Sequence, residues 1–280
     1  RSDGRVLSRS LVNELSPLVE QKIAQYKAGE GLIVNVHITH HAGTTLCNWA
    51  RANGPTPNFA CMQPRSPQKA ARIPVLSGDW NNETIVRQVR NDFHFIASEY
   101  APGRAHYSLL SIPWEHPNII SVFVTRDPIS RLLSGDGRVT KYMTDFFPKF
   151  KTTVRDHETW TQEMWWVYAQ SHFTANYAMN SLLSKSKEDL GFHGTRKGLE
   201  RVKSLLERLT FLLDAACLDD GVKTMGKLLG FKHHGMDTVV RANKHHASPL
   251  SRLDHGNKTL WDFLMNKNKL DTELHDFAVN

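Results

Sequence analysis

Long apolar runs are missing from this 280-residue sequence. No stretch approaches the roughly 18 consecutive apolar residues that a membrane-spanning helix needs. Cysteine is scarce: Cys47, Cys61 and Cys217 are the three present. Their spacing suits no metal site, and they allow at most one disulfide with one thiol left over. The lysine-bearing Gly-x-x-x-x-Gly-Lys-Ser/Thr motif is absent, which excludes a Walker-type nucleotide triphosphatase. No recognisable nucleic-acid-reading motif occurs either. The segments Lys232-His233-His234 and Arg241 to His246 carry no carboxylate or cysteine at ligand spacing. They read as a basic loop near a cofactor or anionic acceptor, not as a metal site.

What is present is ordinary globular material. Apolar residues make up 40% of the chain and charged residues 22%, and the aromatic content is ample for a core. The net charge of +7 favours polyanions and nucleotide cofactors as ligands. Helical spacing of Leu11, Leu15, Leu18, Val19 and Ile23 predicts a helix ended by Gly29 to Gly31. Residues 1–31 therefore read as a helical extension ahead of a domain over 32–280, with neither repeats nor a linker to divide it further. Leu32 to Ile38 is a β-branched apolar run of strand length, as buried parallel strands are. Phe93 to Tyr100, Ile119 to Thr125 and Leu209 to Leu213 read as three more strands. Pro128 suits the first turn of a helix with Asp127 as N-cap. Residues 158–185 read as mostly helical and aromatic, Asp219 to Leu229 as a helix stopped near Gly230, and a final amphipathic helix starts near Lys258. Residues 53–80, rich in Pro, Gly, Asn and Gln, read as an irregular excursion. Strand alternating with helix implies an α/β domain, with a central parallel sheet flanked by helices.

The loop after the first strand carries the chemistry. A buried strand, a loop of small residues and a helix make an anion site, because the helix presents free N–H groups and the positive end of its dipole. Ala42 and Gly43 permit close approach, and Thr44 and Thr45 add hydroxyl donors. The same pattern fits a plain capped turn. A second signal separates the two readings. Arg126 stands at the end of a strand and offers a guanidinium fork suited to a phosphate, with the Ser134 hydroxyl two helical turns beyond.

Here the chain resembles the sulfotransferases that use 3′-phosphoadenosine-5′-phosphosulfate (PAPS). His37-Ile38-Thr39-His40-His41-Ala42-Gly43-Thr44-Thr45 is similar to that family's 5′-phosphosulfate loop, commonly written His-Ile-Pro-Lys-Thr-Gly-Gly-Thr-Thr. Arg126 to Ser134 is similar to its 3′-phosphate motif, Arg-Asp-Pro-x-x-Arg with Ser eight residues after the first Arg. The resemblance covers most of residues 32–231. It implies a P-loop-like loop in which His40, His41, Ala42, Gly43, Thr44 and Thr45 hold the 5′-phosphosulfate, while Arg126 and Ser134 hold the 3′-phosphate. It implies PAPS as cofactor, PAP as product and no metal. Arg196-Lys197-Gly198 matches a cofactor-contacting tripeptide of the cytosolic members, but it falls ahead of the last strand and reads as coincidence.

In motif style the chain is closer to the membrane-anchored carbohydrate sulfotransferases. That implies in-line transfer of a sulfuryl group to a hydroxyl, on a carbohydrate that can itself be anionic, or alternatively on a small molecule. The sequons Asn82-Glu83-Thr84 and Asn257-Lys258-Thr259 and the start at Arg1 fit a Golgi lumenal domain whose anchor lies outside this sequence, the cytoplasm being the alternative. No nucleic-acid partner is expected, and a membrane only through that anchor.

One departure bears on catalysis. The family's loop lysine falls on His40, and an unperturbed imidazole titrates near ~6.5, so it is mostly neutral at pH 7. Either His40 replaces the lysine (with His41 as the competing candidate), or Lys141 or Lys244 reaches in, or the chain binds nucleotide or glycan without turnover. The family draws its general base, His or Glu, from around the end of the second core strand, where this sequence has His94, Glu99 and His106. On an alternating strand His94 and Glu99 face opposite ways. Glu99 lies at the carboxyl end, where ligands of open α/β sheets gather. Glu99 is thus the leading base and His106 the second. Trp160 to Tyr177 could line an acceptor groove or simply fill the core.

Overall fold

The computed structural model describes residues 15–53, 59–60, 82–100, 109–133, 160–183, 191–233 and 258–280. In chain order the elements are α1 (Pro17–Lys27), β1 (Leu32–Ile38), α2 (Gly43–Asn53), β2 (Phe59–Ala60), α3 (Glu83–Asp92), β3 (Phe95–Tyr100), β4 (Ile119–Thr125), α4 (Pro128–Leu133), α5 (Gln162–Gln170), α6 (Tyr177–Leu182), α7 (Arg196–Glu207), β5 (Phe211–Asp214), α8 (Leu218–Leu229), α9 (Lys258–Lys267) and α10 (Lys269–Val279). The strands form one parallel sheet in the order β2-β3-β1-β4-β5. The expected α/β architecture, a central parallel sheet between helices, is what the chain adopts.

Every residue of β1 and β4 is buried, which is why both segments are apolar without alternation: helices cover both faces. Leu32, Val34, Val36 and Ile38 of β1 join Ile96, Ile119 and Phe123 on one face, packed by α3, α6, α7 and Leu274 of α10. On the other face Ile33, Phe95, Ala97, Val122, Val124 and Leu213 meet Ile23 of α1, Leu46 and Trp49 of α2, and Val222 and Met225 of α8. A third cluster sits around α4, α5 and α9, with Ile129, Leu132, Trp160, Met164, Tyr168 and Leu264 buried together. Trp160 and Tyr168 are therefore core residues, and Tyr177 is buried in the first cluster; Trp165 and Trp166 are half-buried against the third.

Caps set the element ends. Ser16 accepts from the Val19 N–H ahead of Pro17. Asp127 Oδ1 accepts from the Ser130 N–H at 2.7 Å, the N-cap its position ahead of Pro128 implies. Gly230 closes α8 at φ 75°, a left-handed value suited to glycine.

Several features differ from the sequence expectations. The first helix starts only at Pro17, behind the extended Ser16 cap, so Leu15 lies outside it. A two-residue strand, β2, lies in the segment read as irregular. Arg196-Lys197-Gly198 opens α7, capped by Thr195 Oγ1 accepting from the Gly198 N–H at 3.0 Å. A Cβ at Gly198 would run into the Phe192 carbonyl, so this glycine serves packing. The last helix is two helices, broken at buried Asn268. Its amide donates to Thr174 O at 2.7 Å and Leu264 O at 2.9 Å, and its Oδ1 accepts from the Asn176 N–H at 3.2 Å. No helix among the described residues is long and apolar enough to cross a membrane.

Candidate functional site

Parallel pairing puts the carboxyl ends of all five strands along one edge. The chain leaves β1 toward β2 on one side and leaves β4 toward β5 on the other. Such a reversal opens a crevice between neighbouring strand ends, where open α/β sheets bind ligands. β1 runs into Thr39 to Ala42 and then α2; β4 runs into Arg126 and then α4.

The loop is bent by two left-handed residues, His40 at φ 67° and Ala42 at φ 54°. For residues other than glycine this conformation costs on the order of 1–3 kcal/mol each, and it persists only where the surroundings enforce it. They do so here. Arg126 Nη1 donates to His40 O at 2.8 Å, the His41 N–H to Ile38 O at 3.0 Å, and the Leu46 N–H to Ala42 O at 3.0 Å. Gly43 begins α2 directly against the His37 ring, in a space a Cβ would occupy. The first turn of α2 contains no acidic residue, so nothing there opposes an anion at its amides. Thr44 is exposed and Thr45 half-buried.

His41 lies beneath the loop. Its ring is buried, and Nδ1 sits 2.8 Å from Val124 O. A carbonyl accepts, so Nδ1 carries the hydrogen and Nε2 is left as a buried acceptor without a partner among the described residues. Burial, with Arg131, His37 and Arg126 nearby, holds its pKa well below the usual histidine value, the Val124 bond opposing only in part. His41 is a neutral wedge. Its ring does not supply the positive charge expected of a lysine replacement. His40 stands half-buried at the bend.

Arg126 is half-buried and is held chiefly by the loop carbonyl. Burial and the neighbouring Arg131 lower its pKa from the ordinary arginine value, though an arginine stays cationic. Arg131, the second arginine of the motif, is turned to a structural task. It is buried, its Nη1 donates to Phe173 O at 2.8 Å, and its guanidinium lies 3.5 Å from the centre of the Tyr177 ring.

Glu99 is brought to the loop. β3 pairs with β1 so that Glu99 stands beside His37, and Glu99 Oε1 accepts from Thr39 Oγ1 at 3.1 Å. His94 is not brought there: it precedes β3, and its carbonyl accepts from the Ile33 N–H at the amino end of the sheet. Five residue-to-residue steps separate it from Glu99, roughly 16 Å at about 3.3 Å per step. Ser134, His106, Lys141 and Lys244 lie outside the described residues. Two contributors went unassigned in the sequence, Thr39 and His37. The signal for Thr39 was a hydroxyl residue where the similar family's loop has proline.

No family model, curated protein or solved structure matches this chain. Function therefore rests on the site itself. That site offers amides at a helix start, one arginine fixed across two strand ends, and one carboxylate tethered beside them. Behind the loop, Cys47 of α2 is disulfide-bonded and Cys217 is a free thiol, in line with the single bridge the cysteine count allows. Among the described residues no group of His, Cys, Asp or Glu could hold a metal ion.

Proposed function

We propose that this chain is a PAPS-dependent sulfotransferase that transfers a sulfuryl group to an acceptor hydroxyl, with a carbohydrate as the leading acceptor class. The observation that carries the reading is the Arg126 Nη1 to His40 O bond, which ties the two segments of family-like sequence into one crevice. The donor set fits the cofactor: small residues and acid-free helix amides suit one phosphate-like group, and a fixed guanidinium suits another. The loop amides of Ala42 to Thr45 and the threonine hydroxyls would hold the 5′-phosphosulfate, and Arg126 the 3′-phosphate. PAPS, when bound, supplies an activated sulfuryl group and a phosphate leaving group.

The chain's own residues do the rest. Glu99 accepts the proton of the acceptor hydroxyl at its carboxylate, and Thr39 fixes that carboxylate's plane. His40 donates a hydrogen bond toward the leaving oxygen, more strongly when protonated. The disulfide at Cys47 favours an oxidising compartment, consistent with a Golgi lumenal domain. A second reading, nucleotide binding without transfer, is favoured by imidazole standing where lysine is expected.

Calorimetric titration with PAP, followed by incubation with labelled PAPS and mixed glycan acceptors, tests both readings. The transferase reading expects PAP binding and labelled product. Binding without product supports the second reading, and absence of PAP binding overturns both. Arg126→Ala should weaken PAP by roughly 10–100-fold, the equivalent of a charge-assisted contact of about 1.5–3 kcal/mol. Unchanged affinity removes Arg126 from the site.

A further inference from the structure

We propose that Asn82 is an N-glycosylation site. It opens the sequon Asn82-Glu83-Thr84, and all three residues are exposed. Asn82 is also the N-cap of α3: its Oδ1 accepts from the Thr84 N–H at 3.0 Å. The cap uses only the amide oxygen, so Nδ2 can be substituted while the oxygen still accepts, and a glycan there leaves α3 capped. The residues that a glycan would crowd are polar; Arg87 and Gln88, one turn on, are exposed as well. Cys47 is disulfide-bonded, as expected of a chain folded in an oxidising lumen, where this modification occurs.

The chemistry is a group transfer from a lipid-pyrophosphate-linked oligosaccharide, performed by the cell's own transferase. Asn82 Nδ2 attacks the anomeric carbon and the C–N bond forms. The C–O bond to pyrophosphate breaks, the lipid pyrophosphate departs with the electron pair, and Nδ2 loses one proton. Sulfuryl transfer plays no part in this.

The test is to secrete the full chain from eukaryotic cells behind a cleavable signal sequence, in an Asn257→Gln background. Peptide-N-glycosidase digestion in heavy-oxygen water should then increase mobility and leave a heavy aspartate at position 82. Thr84→Ala should abolish both effects without uncapping α3, because its backbone N–H still donates to Asn82, and its melting temperature after deglycosylation should match the parent's. Secreted, folded protein with unmodified Asn82 overturns the proposal. Should Thr84→Ala fail to be secreted, the peptide map of the parent alone decides, in either direction.

Discussion

At the scale of single residues, the loop depends on what is small and what is neutral. Gly43 sits against the buried His37 ring, so Gly43→Ala must displace either the ring or the first turn of α2. Overpacking of this kind costs about 1–3 kcal/mol, which for a chain of this size lowers the melting temperature by roughly 2–4 °C per kcal/mol. The moved amides should also weaken PAP binding. Thermal unfolding and calorimetry read the two effects, and an unaltered variant would show the contact to be soft. Thr39 is the second case. Thr39→Val keeps the buried shape but removes the bond to Glu99, worth about 1 kcal/mol. If Glu99 is the base, turnover falls, PAP affinity holds, and Thr39→Ser restores turnover. A valine variant with full turnover would place the base elsewhere.

At the scale of elements, α6, α10 and the segment after β4 lock together through charge. Buried Asp271 of α10 accepts from the Ala178 and Met179 N–H groups at 2.8 and 2.9 Å, capping α6 from another helix. Burial raises its pKa to about 6, against the pull of those amides and of Arg131. Asp271→Ala should cost at least about 1–3 kcal/mol, because it leaves the buried Ala178 and Met179 N–H groups without their acceptor and α6 without its cap. Chemical denaturation measures this, and a loss below about 1 kcal/mol would mean that the two amides find another acceptor once the carboxylate is gone. These interlocks also mark where sequence reading ran out. β1 and β4 were legible because strands buried on both faces are continuously apolar. Arg126 and the loop were legible because the chemistry is local. The start of α7 was obscured by Gly198, a poor helix former whose reason is the Phe192 carbonyl. The break at Asn268 has neither proline nor glycine to announce it, since its cause is hydrogen bonding to Thr174 and Asn176. The Thr39–Glu99 bond depends on the register of β1 against β3, which no local pattern encodes.

At the scale of the whole molecule, α1 is joined to the sheet by a buried cation, and its titration reads global stability. Lys22 is 2% exposed; its ammonium donates to the Trp114 carbonyl and, at 3.3 Å, to Thr210 Oγ1. Thr210 in turn accepts from the Ser121 N–H at 3.1 Å, so this contact links α1 to both β4 and the chain entering β5. Burial lowers the Lys22 pKa from 10.5 to about 8, with Glu115 opposing. In the unfolded chain the group keeps its ordinary value, so between about pH 8 and 10.5 the unfolded state binds more protons than the folded state. Stability attributable to Lys22 must then rise with pH across that window, by at most about 1.4 kcal/mol per pH unit. Below pH 8 the burial cost is present in full. Lys22→Met lacks the titration, and comparing its denaturation midpoint with the parent's at each pH cancels every other group. The parent should gain on the variant from pH 8 to 10.5 and hold a constant difference from pH 6 to 8. A parent that instead loses ground above pH 8 would mean that the ammonium, drawn to Glu115, stabilises the fold as a cation.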